Sequence, residues 1–254
     1  MKILIANPNT SDAMTAMMVD EARRHCRQDT EIHGISADFG VPYIATRSEM
    51  AIAGYALLDT LARRHDGYDA VIVGAFCHAF VPATKELMPV PVIGIAEASM
   101  RAAQILGRRI AIIGLGARDR GANEDIVADL GMASQIASIR RLPLSGTQLT
   151  DDQAVADEMV IEQGMQAVEE DHADVLVLGG AAFAGMAERI ADRLPVPAVS
   201  PVPHAVALAE VALRTGWRKP SRGSASPPTT METTGLSQKL AGFFTPEVAS
   251  QRTT

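Results

Sequence analysis

The chain repeats itself, and that limits what it can fold into. The run DAVIVGAFCHAF (Asp69–Phe80) has a counterpart in DVLVLGGAAF (Asp174–Phe183), with Gly74 and Gly179 in the same place. The segment MPVPVIG (Met88–Gly94) matches LPVPAVS (Leu194–Ser200), and EASMRAAQILG (Glu97–Gly107) runs parallel to PHAVALAEVALRTG (Pro203–Gly216). KILIANPNT (Lys2–Thr10) likewise pairs with RIAIIGLGA (Arg109–Ala117). Because the matches come in the same order at a nearly constant offset, the chain is expected to hold two similar units in tandem.

Each unit alternates short apolar runs with helical periodicity. Runs apolar on both faces, such as Ile3–Ala6, Ala70–Val73, Ile110–Ile113 and Val175–Leu178, suit central strands of parallel sheets. Further strands are expected at Glu31–Ser36, Val92–Ile95, Ile136–Ile139 and Ala198–Val199. Helices are expected after Thr10 or Ser11, at Glu49–Arg64 with Ile52, Tyr55, Leu58 and Leu61 on one face, and at Pro82–Met88 and Ala98–Leu106. Others fall around Ile126–Leu130, at Gln153–Glu170, near Met186–Arg193 and at Ala205–Thr215. Ala37–Arg47, with Gly40, Pro42 and Tyr43, reads as a long loop. Strands alternating with helices give an α/β fold with parallel sheets covered by helices. The expected division is 1–107 plus 201–217 for the first half and 108–200 for the second, related by pseudo-twofold symmetry. Beyond Trp217 the chain turns rich in Ser, Thr, Pro and Gly, so 218–254 is expected to be a flexible or docking tail in which Leu236–Phe244 adds a short helix.

The net charge of −7 argues against a nucleic-acid backbone as partner. Two Cys make no disulfide framework and point to a reducing, cytoplasmic setting. Asn and Pro interrupt the first apolar run too early for a signal peptide, and no stretch approaches a membrane span. The His and Cys spacings form no metal site, and GLGARDRG (Gly114–Gly121) is not a dinucleotide-binding glycine pattern, so neither a metal nor a nucleotide is expected.

Ligands of parallel α/β sheets bind beyond the carboxyl ends of the strands. That rule selects the loops Asn7–Ser11 and Ala75–His78, and their repeat partners Gly114–Ala117 and Gly180–Phe183, facing one another across a cleft.

The segments NPNTS (Asn7–Ser11), PVIGIAEAS (Pro91–Ser99) and Val177–Ala187, with YIATR (Tyr43–Arg47), resemble the aspartate/glutamate/hydantoin racemase family over about Met1–Trp217. The resemblance implies two Rossmann-like halves with the active site between them, no cofactor, and a small carboxylate or cyclic-amide substrate. It also implies two catalytic cysteines, one after each equivalent strand. Here those positions hold Ala75 and Gly180, so the two-thiol mechanism is not expected. The proton carriers left nearby are Cys77, expected in the first turn of a helix that would activate its thiol, and His78. Cys77 can equally be a small buried residue, and His78 a polar loop residue. Expected binding residues are Asn9, Thr10, Tyr43, Phe76, Gly114, Gly180, Ala181, Ala182 and His204. Arg47 can pair with a carboxylate, and Glu97 suits a helix start. Racemisation, isomerisation, lysis, decarboxylation, hydrolysis and ligand binding without turnover all remain open at this point, as does the expected homo-oligomer.

Overall fold

The computed structural model describes residues 1–116, 120–144, 148–149 and 152–245. Its first half runs β1 (Lys2–Asn7), α1 (Asp12–His25), β2 (Glu31–Ser36), α2 (Arg47–Arg64), β3 (Ala70–Val73), α3 (Val81–Leu87), β4 (Val92–Gly94) and α4 (Ile95–Leu106). The second half holds β5 (Ile110–Leu115), α5 (Arg120–Asp129), β6 (Ile136–Leu142), α6 (Gln153–Glu169), β7 (Val175–Leu178), α7 (Met186–Ile190) and β8 (Ala198–Val199), after which α8 (Pro201–Arg214) returns to the first. Two parallel four-stranded sheets result, ordered β2-β1-β3-β4 and β6-β5-β7-β8. Ile3–Ala6 and Ile110–Ile113 hold corresponding central places and are fully buried, as strands covered on both faces must be.

The repeat extends to single hydrogen bonds. Asp69 Oδ2 accepts from the Lys2 amide at 2.7 Å, and Asp174 Oδ2 accepts from the Arg108 and Arg109 amides at 2.9 Å. The Asp69 and Asp174 amides return 2.8 Å bonds to the Lys2 and Arg109 carbonyls. Each aspartate thus fastens the start of its central strand to the next strand.

The helices differ from the sequence-based expectation where caps prevail over apolar spacing. α4 starts at Ile95, not Ala98, because Glu97 reaches back to accept the Gly94 amide at 2.9 Å. α8 starts at Pro201, which has no amide to leave unpaired in a first turn. The expected apolar face of α2 holds for Leu61, which is buried, and Leu58, which is half-buried, but Ile52 and Tyr55 are exposed and Ala53, Ala56, Leu57 and Thr60 are buried beside it. Small residues there let the helix approach the sheet closely.

α8 packs on α1 and α4, where Val202, Ala205, Val206 and Ala209 join the core around Ile3, Ile5 and Met18. Glu210 accepts from the Arg27 amide and the Thr30 hydroxyl. After the loop, α9 (Gln238–Ala241) and a following 3-10 turn pack on α2, burying Leu240 and Phe243. Ser237 caps α9 by accepting from the Leu240 amide, and donates its hydroxyl to the buried carboxylate of Asp59. Among the described residues, no helix is long and apolar enough to cross a membrane.

Candidate active site

The turn after β1 is built on Asn7, which is buried. Its Nδ2 donates to Asn9 Oδ1 at 2.8 Å and Thr15 Oγ1 at 2.9 Å, and its Oδ1 accepts from the Asn9 amide. Asn9 Oδ1 also accepts from the Ser11 amide at 2.9 Å. With both lone-pair directions of that oxygen engaged, the Asn9 amide is held one way round. Its Nδ2 then points to the sulfur of Met14, a weak acceptor 3.6 Å away. Ser11 caps α1, so of the two expected caps it is Ser11 that serves. Thr10 donates its backbone amide to Val41, tying this turn to the long loop that carries Tyr43.

Beyond the strand ends lies a cavity of about 60 Å³, lined from both halves. The first half contributes Asn9, Met14, Tyr43, Ile44, Met50 and the strip Gly74–Cys77, and the second contributes Leu115 and the strip Gly179–Ala182. Among these described residues no Lys, Arg, Asp, Glu or His lines it. Its polar character comes from the Asn9 amide, the Tyr43 phenol, the Cys77 thiol and backbone groups.

The structure gathers eight of the expected residues here: Asn9, Tyr43, Ala75, Phe76, Cys77, Gly180, Ala181 and Ala182. Four lie elsewhere. Thr10 does not line the cavity. Gly114 lies under Asn123, whose Nδ2 would be 2.7 Å from an added Cβ, and Leu115 lines the cavity in its place. Ala117, at the end of that expected loop, lies outside the described residues. His204 sits within α8, where its Nδ1 bonds the Ser200 carbonyl at 2.7 Å. His78 is buried but does not line the cavity; its Nδ1 has no hydrogen-bond partner among the described residues, and burial pushes its pKa down against the opposing pull of Glu97.

Cys77 is 6% exposed and lines the cavity, but not from a helix. α3 begins only at Val81, whose amide closes a turn onto His78, so no helix N-terminus activates the thiol. Met14, Ile44, Met50, Gly74 and Gly179 were not expected here, while Leu115, the last residue of β5, falls within the expected loop Gly114–Ala117. Gly74 and Gly179 directly follow β3 and β7, and that position was the available signal. Arg47 meets Asp125 at 2.8 Å in an exposed pair, and Glu97 holds the α4 cap and Lys85.

Gly180 closes the second side. Its φ of 174° is extended backbone that any residue adopts, and an added Cβ would touch Phe183 at an ordinary 3.4 Å. Neither backbone nor packing demands a glycine there.

Twin parallel sheets with a cavity across their carboxyl ends, free of charged side chains among the described residues, define a two-half α/β protein. The chain belongs to the Asp/Glu/hydantoin racemase family, which it matches over residues 3–209. It is 30% identical over 231 residues to a hydantoin racemase of Paenarthrobacter aurescens, covering 90% of this chain and 98% of that protein. Among solved structures it is similar to allantoin racemase from Klebsiella pneumoniae (TM-score 0.90, 30% identity, 96% of this chain and 99% of that one). It is likewise similar to allantoin racemase from Pseudomonas fluorescens (TM-score 0.89, 30% identity, 92% and 100%).

Proposed function

We propose that the chain is a cofactor-independent enzyme acting on the carbon next to a carbonyl in a small hydantoin-like ring, with Cys77 as the thiol that moves its proton. The observation that carries this reading is the cleft lining, which has a single thiol and no charged side chain. A free amino acid brings a carboxylate and an ammonium, and both need partners when taken from water. A cyclic amide brings only carbonyl and N–H groups. The similarity to hydantoin and allantoin racemases supports the same substrate class.

In this mechanism the Cys77 thiolate removes the ring proton. The C–H electron pair moves onto the adjacent carbonyl oxygen as an enolate, to which the Asn9 Nδ2–H donates. A proton from the Cys77 thiol, or from water that has exchanged with it, then restores the carbon. Ala75 and Gly180 carry no proton, so both steps use one face. The enzyme therefore exchanges the ring proton of one enantiomer much faster than it inverts it. A one-sided site also suits decarboxylation or ring cleavage, where the new carbanion needs a single proton.

The experiment is incubation of single-enantiomer 5-substituted hydantoins in D₂O with wild type, Cys77→Ala and His78→Ala, following deuterium uptake, optical rotation and products. We expect uptake without matching inversion, lost in Cys77→Ala and retained in His78→Ala. Rapid inversion by wild type that survives Cys77→Ala would overturn the reading. Ligand binding with no turnover in any assay would make the chain a binding protein. The reading includes a cytoplasmic homo-oligomer with halves 1–107 plus 201–217 and 108–200.

A further inference from the structure

A second cavity, of about 370 Å³, lies away from the cleft. Its floor is the edge strand β4, through Val92 and Ile93, with Leu208 of α8 and Leu130 after α5. Its roof is the segment beyond α8, Trp217–Pro220 with Ala225. Local chemistry sends the chain there. Gly216 adopts φ 69°, its amide bonds the Leu213 carbonyl, and the Trp217 amide bonds the Ala212 carbonyl at 2.9 Å. This glycine-terminated helix end turns the chain back over the sheet edge. Lys219 fixes it by donating its ammonium to the carbonyls of Glu86 and Met88.

The lining combines two chemistries. Val90, Pro91, Val92, Ile93, Leu130, Leu208 and the exposed Trp217 supply apolar surface. Lys85, Arg101, Arg218 and Lys219 supply four cations against one carboxylate, Glu97, in a chain whose net charge is −7. Glu97 is taken by Lys85 at 2.7 Å. The described partners of Arg101, the Gln104 side chain and the Leu130 carbonyl, carry no charge. Apolar walls beneath a cationic rim match a molecule with an apolar body and one anionic end, for which a guanidinium offers a two-pronged contact.

We propose that this cavity binds an amphiphilic monocarboxylate, its tail on Ile93, Leu208 and Trp217 and its carboxylate on Arg101 and Arg218. The site is separate from the cleft, and the C-terminal segment exists in part to roof it.

Trp217 is the single tryptophan of the chain, so its fluorescence reports on this cavity alone. The test titrates the full chain with octanoate, with octanamide as a neutral match of equal length, and with acetate as the charge without the tail. A shift in melting temperature serves as the second readout. Octanoate should give a saturable fluorescence change and raise the melting temperature, with octanamide and acetate at least tenfold weaker. The Arg101→Gln/Arg218→Gln variant should bind octanoate at least fivefold more weakly, close to octanamide. Equal affinity for octanoate and octanamide, an unchanged affinity in that variant, or no saturable response by either readout would overturn the proposal.

Discussion

The loops after β3 and β7 occupy the same place in the two halves and hold different side chains. Gly74 answers to Gly179, Ala75 to Gly180, Phe76 to Ala181, Cys77 to Ala182 and His78 to Phe183. The backbone bonds that set them are shared: the Gly74 amide meets the Ala6 carbonyl at 2.9 Å, and the Gly179 amide meets that of Ile113 at 2.8 Å. Burial is shared too, since Cys77 and Ala182 are each 6% exposed and both line the cleft. One frame therefore presents a thiol on one side and a methyl group on the other. Backbone symmetry makes two opposed positions available, and chemistry from two faces depends on the side chains placed there.

The largest expected effect comes from restoring that symmetry. Ala75→Cys together with Gly180→Cys should raise hydantoin inversion by roughly 10²-fold or more over wild type, a usual yield for a placed acid or base. Each single substitution should fall well short of the pair. No gain in the double variant, with its fold intact by circular dichroism, would mean the two loops are not opposed across one substrate.

Asn9→Ala should come next, weakening substrate-analogue binding about tenfold by calorimetry, as expected for one hydrogen bond of about 1–1.5 kcal/mol. Thr10→Val, one residue on, should change it less than about twofold, because Thr10 uses its backbone and not its side chain here. Similar losses for the two would show that the turn acts as a cap and nothing more.

The smallest effect concerns His78 against its counterpart Phe183, which is fully buried. Burial pushes the His78 pKa down, so the folded chain binds this proton less well than the unfolded chain. That contribution to stability is complete above the unfolded value of about 6.5 and is lost as pH falls from there through the folded value. His78→Phe should flatten this part of a urea-unfolding profile taken across pH 5–8. An unchanged profile would place the acid sensitivity elsewhere.

Much of the fold was legible because strand burial and the tandem spacing are written in runs such as Ala70–Val73 and Val175–Leu178. The cleft was legible as far as strand ends predict it, which covers Asn9, Cys77 and Gly180. What escaped depends on direction, not position. His78 and Cys77 are neighbours, yet only Cys77 lines the cleft, since the chain turns away at His78, whose carbonyl accepts the Val81 amide. The expected helix at Cys77 failed because the turn closed by Val81 delays α3. The face of α2 was right at Leu58 and Leu61 and wrong at Ile52 and Tyr55, because large apolar residues attract attention while close packing selected Ala53, Ala56 and Leu57.

One carboxylate also joins the halves. Glu21 of α1 is buried, and its Oε1 accepts the Gly185 amide at 2.9 Å and the Ser200 hydroxyl at 2.7 Å, both beyond β7. Parting the halves would break both bonds and hand the carboxylate to water, a net cost of about 1 kcal/mol per bond. Hinge-like opening therefore breaks contacts that a movement of the surface loop leaves in place. The loop bearing Tyr43 and Ile44 is tied to the neighbouring turn through Thr10 and Val41, and at its ends through Ala37, Asp38 and Ala45. A doorway there opens between those end ties, so the speed at which substrate enters and product leaves should follow the breaking of the Thr10–Val41 bond, with the two sheets standing still.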